Sequence, residues 1–108
     1  MIRGILVRPN DMPVVTEFEE GLEMLQKIVN GPIEIPRLFD DVDIIINEEG
    51  KLNGSLPNRF LFYRSELVDI LFGNILIVDA DDDGNIISLS DEKEKRYMSL
   101  FSSFYIDL

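Results

Sequence analysis

Three consecutive isoleucines, Ile44, Ile45 and Ile46, are the feature that most constrains the fold of this chain. Side chains of a β-strand alternate between the two faces of a sheet, so three apolar residues in a row place apolar groups on both faces. The isoleucines lie within residues 42–47, between two acidic segments that are typical of turns. Residues 42–47 are therefore predicted to form a strand buried on both faces.

Five further segments have the composition of strands, because β-branched and apolar residues are bounded by Pro, Gly, Asn or Asp. They are residues 2–7, 14–15, 33–39, 75–78 and 86–88. Pro36 would remove a hydrogen bond from the third of them, which favours a sheet edge or a bulge there. The Asp-Asp-Gly-Asn sequence at 82–85 predicts a hairpin turn. Residues 52–64 are predicted to form a loop followed by a short strand or a helical turn.

Two helices are predicted from capping signals and helical spacing. Residues 16–19, Thr-Glu-Phe-Glu, match a capping box, in which the Thr and Glu side chains satisfy amides at a helix start. Apolar residues then recur at helical spacing up to Gly31, where the helix should end: Phe18, Leu22, Leu25 and Val29. A second capping-box match at 88–91 predicts a charged helix from about Asp91.

These elements predict an α+β fold in one domain spanning residues 1–108. The prediction is a mixed or antiparallel sheet of about five strands packed by two helices. Apolar residues make up 45% of the chain, which is too many for a disordered acidic protein and favours a folded core.

The charge of the chain limits its partners and its chemistry. Asp and Glu number 21 against 10 Lys and Arg, which gives a net charge of -11. Such an excess repels phosphate backbones and anionic membranes, so neither nucleic acid nor a membrane is expected as a direct partner. The chain has no His and no Cys, and therefore lacks the commonest proton shuttle and the usual transition-metal ligands. We expect no cofactor, no enzymatic activity and a location in the reducing cytoplasm.

Dense groups of acids suggest a surface for a basic partner. The first group lies on the first predicted helix and contains Glu19, Glu20 and Glu23. The second is a later turn with Asp40 and Asp41, and the third is residues 79–83. Rows of carboxylates resemble the spaced phosphates of DNA, so a basic, nucleic-acid-binding protein would be the target. The alternative is that these acids form a solvated face that serves solubility.

The third acidic group resembles the first half of a calcium-binding loop. Asp79, Asp81 and Asp83 stand at the first, third and fifth positions, and Gly84 follows at the sixth. The twelfth position is Ser90, where such a loop requires a bidentate Glu. The prediction is thus either a weak divalent-cation site or a solvated hairpin.

Amides, glycines and two cations gather between residues 47 and 59 of this acidic chain. Backbone amides of the glycines together with Asn47, Lys51, Asn58 and Arg59 would suit an anion or a nucleotide. The alternative is structural, in which these polar side chains satisfy the backbone of a rigid loop.

The C-terminal segment is rich in large apolar residues, ending in Phe104, Tyr105, Ile106 and Leu108. We expect them to complete the core behind the second helix. If residues 104–108 exceed what the core needs, they would form an exposed patch and favour a homodimer.

Six stretches of the chain, in order, resemble a family of small phage- and plasmid-borne proteins, the domain of unknown function 3846. They are IRGILVRP at 2–9, GLEMLQKIVNG at 21–31, NEEGKLNG at 47–54, LPNR at 56–59, DILFG at 69–73 and SLSDE at 88–92. The resemblance implies a mobile genetic element, often near anti-restriction genes, and no assigned activity. By association, we expect a non-enzymatic counter-defence inhibitor that binds a bacterial host defence protein. The alternatives are a binding protein, or sponge, for a nucleotide signal and an uncharacterised structural or interaction domain.

Overall fold

The computed structural model describes all residues 1–108 and contains nine β-strands and two α-helices. In chain order the elements are β1 (Ile2–Val7), β2 (Val14–Phe18), α1 (Leu22–Val29), β3 (Ile33–Glu34), β4 (Asp43–Asn47), β5 (Pro57–Tyr63), β6 (Glu66–Phe72), β7 (Ile75–Ala80), β8 (Ile86–Ile87), α2 (Asp91–Leu100) and β9 (Tyr105–Asp107). The α+β class with two helices is confirmed. The predicted sheet of about five strands was too small, because the nine strands form two sheets.

The larger sheet has the order β2-β1-β7-β4-β3, and β8 pairs with β7. All of its strand pairs are antiparallel. Ile44 and Ile46 belong to one core cluster and Ile45 belongs to the other, on the opposite face. The prediction that this strand is buried on both faces is confirmed. The segment at 33–39 is a two-residue edge strand that ends before Pro36.

The smaller sheet has the order β6-β5-β9, with β5 and β9 parallel. Its buried residues Leu61, Leu71 and Ile106 face the larger sheet and share a core with Tyr97 of α2 and with Phe101, which follows the helix. Helix α1 packs on the other face of the larger sheet through residues such as Leu25 and Val29. The protein is therefore layered, with α1, the larger sheet, and then the smaller sheet together with α2. No helix is long and apolar enough to cross a membrane.

The start of the first helix was predicted wrongly. Residues 16–18 lie in β2, where Thr16 pairs with Gly4 and Phe18 pairs with Ile2. Helix α1 begins only at Leu22, after a loop that ends at Gly21 with a φ of 121°. Pairing of these residues with β1 satisfies their backbone, so the capping-box pattern has no helix to cap. At the other helix, the predicted start at Asp91 is confirmed, and the Ser90 hydroxyl accepts a hydrogen bond from the Lys93 amide.

Candidate functional site

Arg59, predicted to bind a ligand, is completely buried, and all five of its N–H groups donate to neutral oxygens. Nε and Nη2 donate to the Phe101 carbonyl at 3.0 and 2.8 Å, and Nη2 also donates to the Asp11 carbonyl at 2.8 Å. Nη1 donates to the carbonyl and Oδ1 of Asn58 at 3.0 and 2.8 Å. The guanidinium carbon lies 4.6 Å from the centre of the Phe104 ring. Burial lowers the pKa of Arg59, and no donor is left for a ligand.

Asn58 is also buried and connects three parts of the chain. Its Nδ2 donates to the carbonyls of Val7 at 2.8 Å and Gly73 at 2.7 Å, while Oδ1 accepts from Arg59. Both amide protons are therefore used within the protein. Asn58 and Arg59 together join the end of β1, the turn between β6 and β7, and the end of α2.

Asn47 holds the C-terminal end of α1 against β4. Its Nδ2 donates to the carbonyls of Val29 and Asn30, each at 3.1 Å, and its Oδ1 accepts from the Glu49 amide at 2.7 Å. Carbonyls at a helix end have no partner within the helix, so a side-chain donor satisfies them. The role of Asn47 in this structure is to cap a helix.

The four residues predicted as one ligand set are not brought into one cavity. Asn47 and Lys51 line a cavity of about 330 Å³, while Asn58 and Arg59 do not. The ammonium of Lys51 lies 2.7 Å from the carboxylate of Asp69, and two more acids share the wall, Glu34 and Glu48. Three carboxylates around a single paired cation make this cavity unsuitable for a phosphate or a nucleotide.

The predicted cation site at Asp79, Asp81 and Asp83 is not formed. Asp79 is paired with Lys93 at 2.7 Å. Asp81 Oδ1 accepts from the amides of Asp83 and Asn85, each at 2.9 Å, which holds the hairpin turn closed. These hydrogen bonds, led by the Asn85 amide, lower the pKa of Asp81. No group of three or more His, Cys, Asp or Glu residues is arranged to hold a metal ion.

Asp41, predicted as part of a partner surface, is engaged within the protein. It accepts a hydrogen bond from the Tyr97 hydroxyl and pairs with Arg96 at 2.5 Å. The Tyr97 hydrogen bond, with help from the Arg96 charge, lowers the pKa of Asp41 against the opposing effect of burial. Burial, and then the Asp41 contact, raises the pKa of Tyr97. Only Asp40 of this predicted pair stays exposed and outside the ion pairs.

A lowered pKa at Asp41 makes stability depend on pH in a defined direction. Stability from the ionised carboxylate is fully present above the unfolded pKa of about 3.9 and is lost as pH falls through the lower folded pKa. We expect Tyr97→Phe to lower the free energy of unfolding by about 1 kcal/mol at neutral pH. Below about pH 4 the gap between the two proteins should shrink.

Urea denaturation across this pH range measures the effect. Tyr105→Phe is the matched control, because Tyr105 is exposed and packs its ring without a hydrogen bond from its hydroxyl. A gap for Tyr97→Phe that stays constant into acid would contradict the role given to Asp41.

The largest cavity, about 540 Å³, lies between the start of α1 and the hairpin that joins β7 to β8. Its wall includes Glu20 from the first region and Asp81 from the second, 61 positions apart in the sequence. The apolar part of its lining comes from β1, β2, α1 and β8: Ile2, Phe18, Leu22, Leu25, Ile86 and Ile87. Two of these side chains are well exposed, Leu22 at 56% and Ile87 at 40%. We call this region the acidic cavity.

Carboxylates around the acidic cavity are free of ion pairs. Glu19, Glu20 and Glu23 are exposed, and none belongs to the six salt bridges of the protein. The same holds for Asp82 and Asp83 beside Asp81. This arrangement suits a basic segment that also presents an apolar side chain. The acids are visible in the sequence, but the apolar lining was not predicted, because Ile86 and Ile87 indicated only a strand.

A protein-family model described as "Domain of unknown function (DUF3846)" matches residues 2–102 of the 108. No curated protein matches the chain. No solved structure matches it either.

Proposed function

The chain belongs to the DUF3846 family, and on that premise we propose that it is a non-enzymatic accessory protein of a phage or another mobile element. It binds a bacterial defence protein through the acidic cavity and blocks it. One observation carries this proposal: carboxylates outside any ion pair, from two distant parts of the chain, border a single cavity whose lining is partly apolar.

Electrostatics explain how such a surface selects its partner. Ion pairs within the protein use six of the 21 acids, and the acids around the cavity are outside this set. Free surface carboxylates attract a basic protein over about 10 Å at moderate salt, raise its association rate and repel acidic competitors. A target that binds nucleic acid has a basic surface, which complements these carboxylates. The resemblance to mobile-element proteins favours a target of this class.

Apolar contacts supply the affinity that exposed charges do not. Exposed ion pairs contribute about 0 to 1 kcal/mol each, whereas full burial of one Leu-sized side chain contributes about 2 kcal/mol. The exposed side chains of Leu22 and Ile87 stand where a partner residue would enter the cavity. We therefore describe the bound segment as Lys- or Arg-rich with one apolar side chain at its centre.

Neutralisation of two acids tests the carboxylates. We expect Glu19→Gln with Glu20→Gln to weaken capture of the target from a bacterial lysate about tenfold at low salt. Binding by the unchanged protein should fall with rising salt, because screening removes the attraction. The matched control is Glu48→Gln with Glu49→Gln, which removes the same charge from an exposed pair outside the acidic cavity.

The same variants then test counter-defence. A phage sensitive to the defence system should plate efficiently on host cells that express the unchanged protein or the control variant. Cells that express the Glu19 and Glu20 variant or Leu22→Ser should remain resistant. Equal protection by all four proteins would contradict the proposal, and so would equal capture by the two double variants.

A further inference from the structure

The outer face of the smaller sheet presents apolar side chains to solvent. Leu61 and Ile106 are paired across β5 and β9, and both are buried in the core. Because side chains alternate along a strand, their neighbours Phe60, Phe62 and Tyr105 lie on the opposite face. The residues that pair with Phe60 and Phe62 on the two neighbouring strands lie on the same face. The complete set is Phe60, Phe62, Leu67, Ile70, Tyr105 and Asp107. We call this set the aromatic face.

Aromatic rings contact one another within the aromatic face, and none of its six residues is buried. The Tyr105 ring lies 5.6 Å from the Phe60 ring and 5.8 Å from the Phe62 ring. None of the six residues belongs to either core cluster or packs against one. Tyr105 remains 64% exposed and Leu67 51% exposed. A contiguous apolar surface of this kind typically marks an interface.

Charge separates this face from the acidic cavity. Charged residues make up 29% of the chain, yet Asp107 is the only carboxylate or cation among the six. A basic partner would find no row of acids here, so the matching surface is itself apolar and poor in charge. A second copy of this chain has such a surface. Electrostatic repulsion between two copies of net charge -11 is weaker when the contact surface contains few carboxylates.

We propose that the aromatic face is the interface of a homodimer, formed by the same face of a second copy. A two-fold axis through the face lets the rings of one copy pack against the rings of the other. Strand spacing and rise give the three-stranded face a size of about 15 by 20 Å. Two such faces bury about 600 Å² in total, which is below the standard size of specific interfaces, so the dimer is weak and transient, with a Kd on the order of 10 μM to 1 mM.

Raised salt should strengthen this dimer, whereas it should weaken the proposed binding of the target. Two copies of net charge -11 repel each other, and screening reduces the repulsion. We expect sedimentation velocity over a concentration series to show a monomer–dimer equilibrium that strengthens as salt is raised. Leu67→Glu should raise the dimer Kd at least tenfold. Met12→Glu, a comparable apolar-to-acidic change at a residue that is 59% exposed and lies in the loop between β1 and β2, should leave it unchanged.

Three results would overturn the proposal: a monomer at every concentration and salt, an equal loss with both variants, or a dimer that weakens with salt. If thermal unfolding shows that Leu67→Glu disrupts the fold, Leu67→Ser replaces it under the same criteria. Capture of a host protein by a chain that stays monomeric would reject this interface and leave the acidic cavity proposal standing.

Discussion

Replacement of Arg59 by methionine is expected to lower the free energy of unfolding by about 3 kcal/mol or more. Methionine fills a similar volume, so the main loss is of the five hydrogen bonds to Asp11, Asn58 and Phe101. Each buried oxygen left without a donor costs about 1 to 3 kcal/mol. Removal of an unpaired buried cation offsets part of this cost. The net charge of -11 stabilises the positive charge of Arg59, so removal of that charge regains little stability.

Two further variants separate the hydrogen bonds from the charge in urea denaturation at neutral pH. Arg59→Lys keeps the charge but has only three donors and no planar fork, so it should lose about 2 kcal/mol. Arg37→Met is the control, because that Arg side chain is 84% exposed and should change stability by less than about 0.5 kcal/mol. A value for Arg59→Met as small as that of Arg37→Met would refute the structural role of Arg59.

Arg59 also marks the limit of what the sequence could predict about a site. Asn and Arg near glycines have the donors that bind an anion, and the same donors bind backbone carbonyls. The choice depends on burial, which is set by β9 and the end of α2, more than 40 residues away. Local pattern could not distinguish the two roles, so the ligand prediction for Asn58 and Arg59 followed the wrong alternative.

Strands were predictable where composition was strong and missed where turn signals were absent. The Ile44 to Ile46 run and the Asp-Gly turn before β8 were identified because both signals are local. The hairpin between β5 and β6 turns at Arg64 and Ser65, both with positive φ. Such turns favour Asn and Gly. Without those residues no local signal indicated a hairpin, and β6 was not predicted.

The acids of the acidic cavity could be predicted from the sequence, but the cavity itself could not. Its acids stand in dense runs that are visible in the sequence. The cavity itself depends on the loop before α1 meeting the β7–β8 hairpin, which only the sheet order brings about. Asp41 shows the converse, since an acid that resembled free surface is held by Tyr97 and Arg96. Charge pattern therefore locates acids but does not tell which of them are already paired.

Asn47→Asp should have the other large effect, a loss of about 3 kcal/mol or more at neutral pH. The change is nearly isosteric, but it turns a donor facing the carbonyls of Val29 and Asn30 into a buried carboxylate oxygen. Only the oxygen that accepts from the Glu49 amide keeps its partner. The end of α1 should loosen first, and hydrogen exchange would report faster exchange of its amides.

The pH dependence of this loss distinguishes the charge from the missing hydrogen bonds. Burial raises the pKa of the new carboxyl in the folded state, so its penalty is present above the unfolded pKa of about 3.9 and disappears as pH falls below it. Asn47→Ala loses the same donors without a charge and should cost about 2 kcal/mol at every pH. Asn53→Asp is the isosteric control, because the exposed Asn53 uses only its Oδ1, as an acceptor from Ser55. If Asn47→Asp matched Asn53→Asp in urea denaturation at neutral pH, Asn47 would not hold the helix.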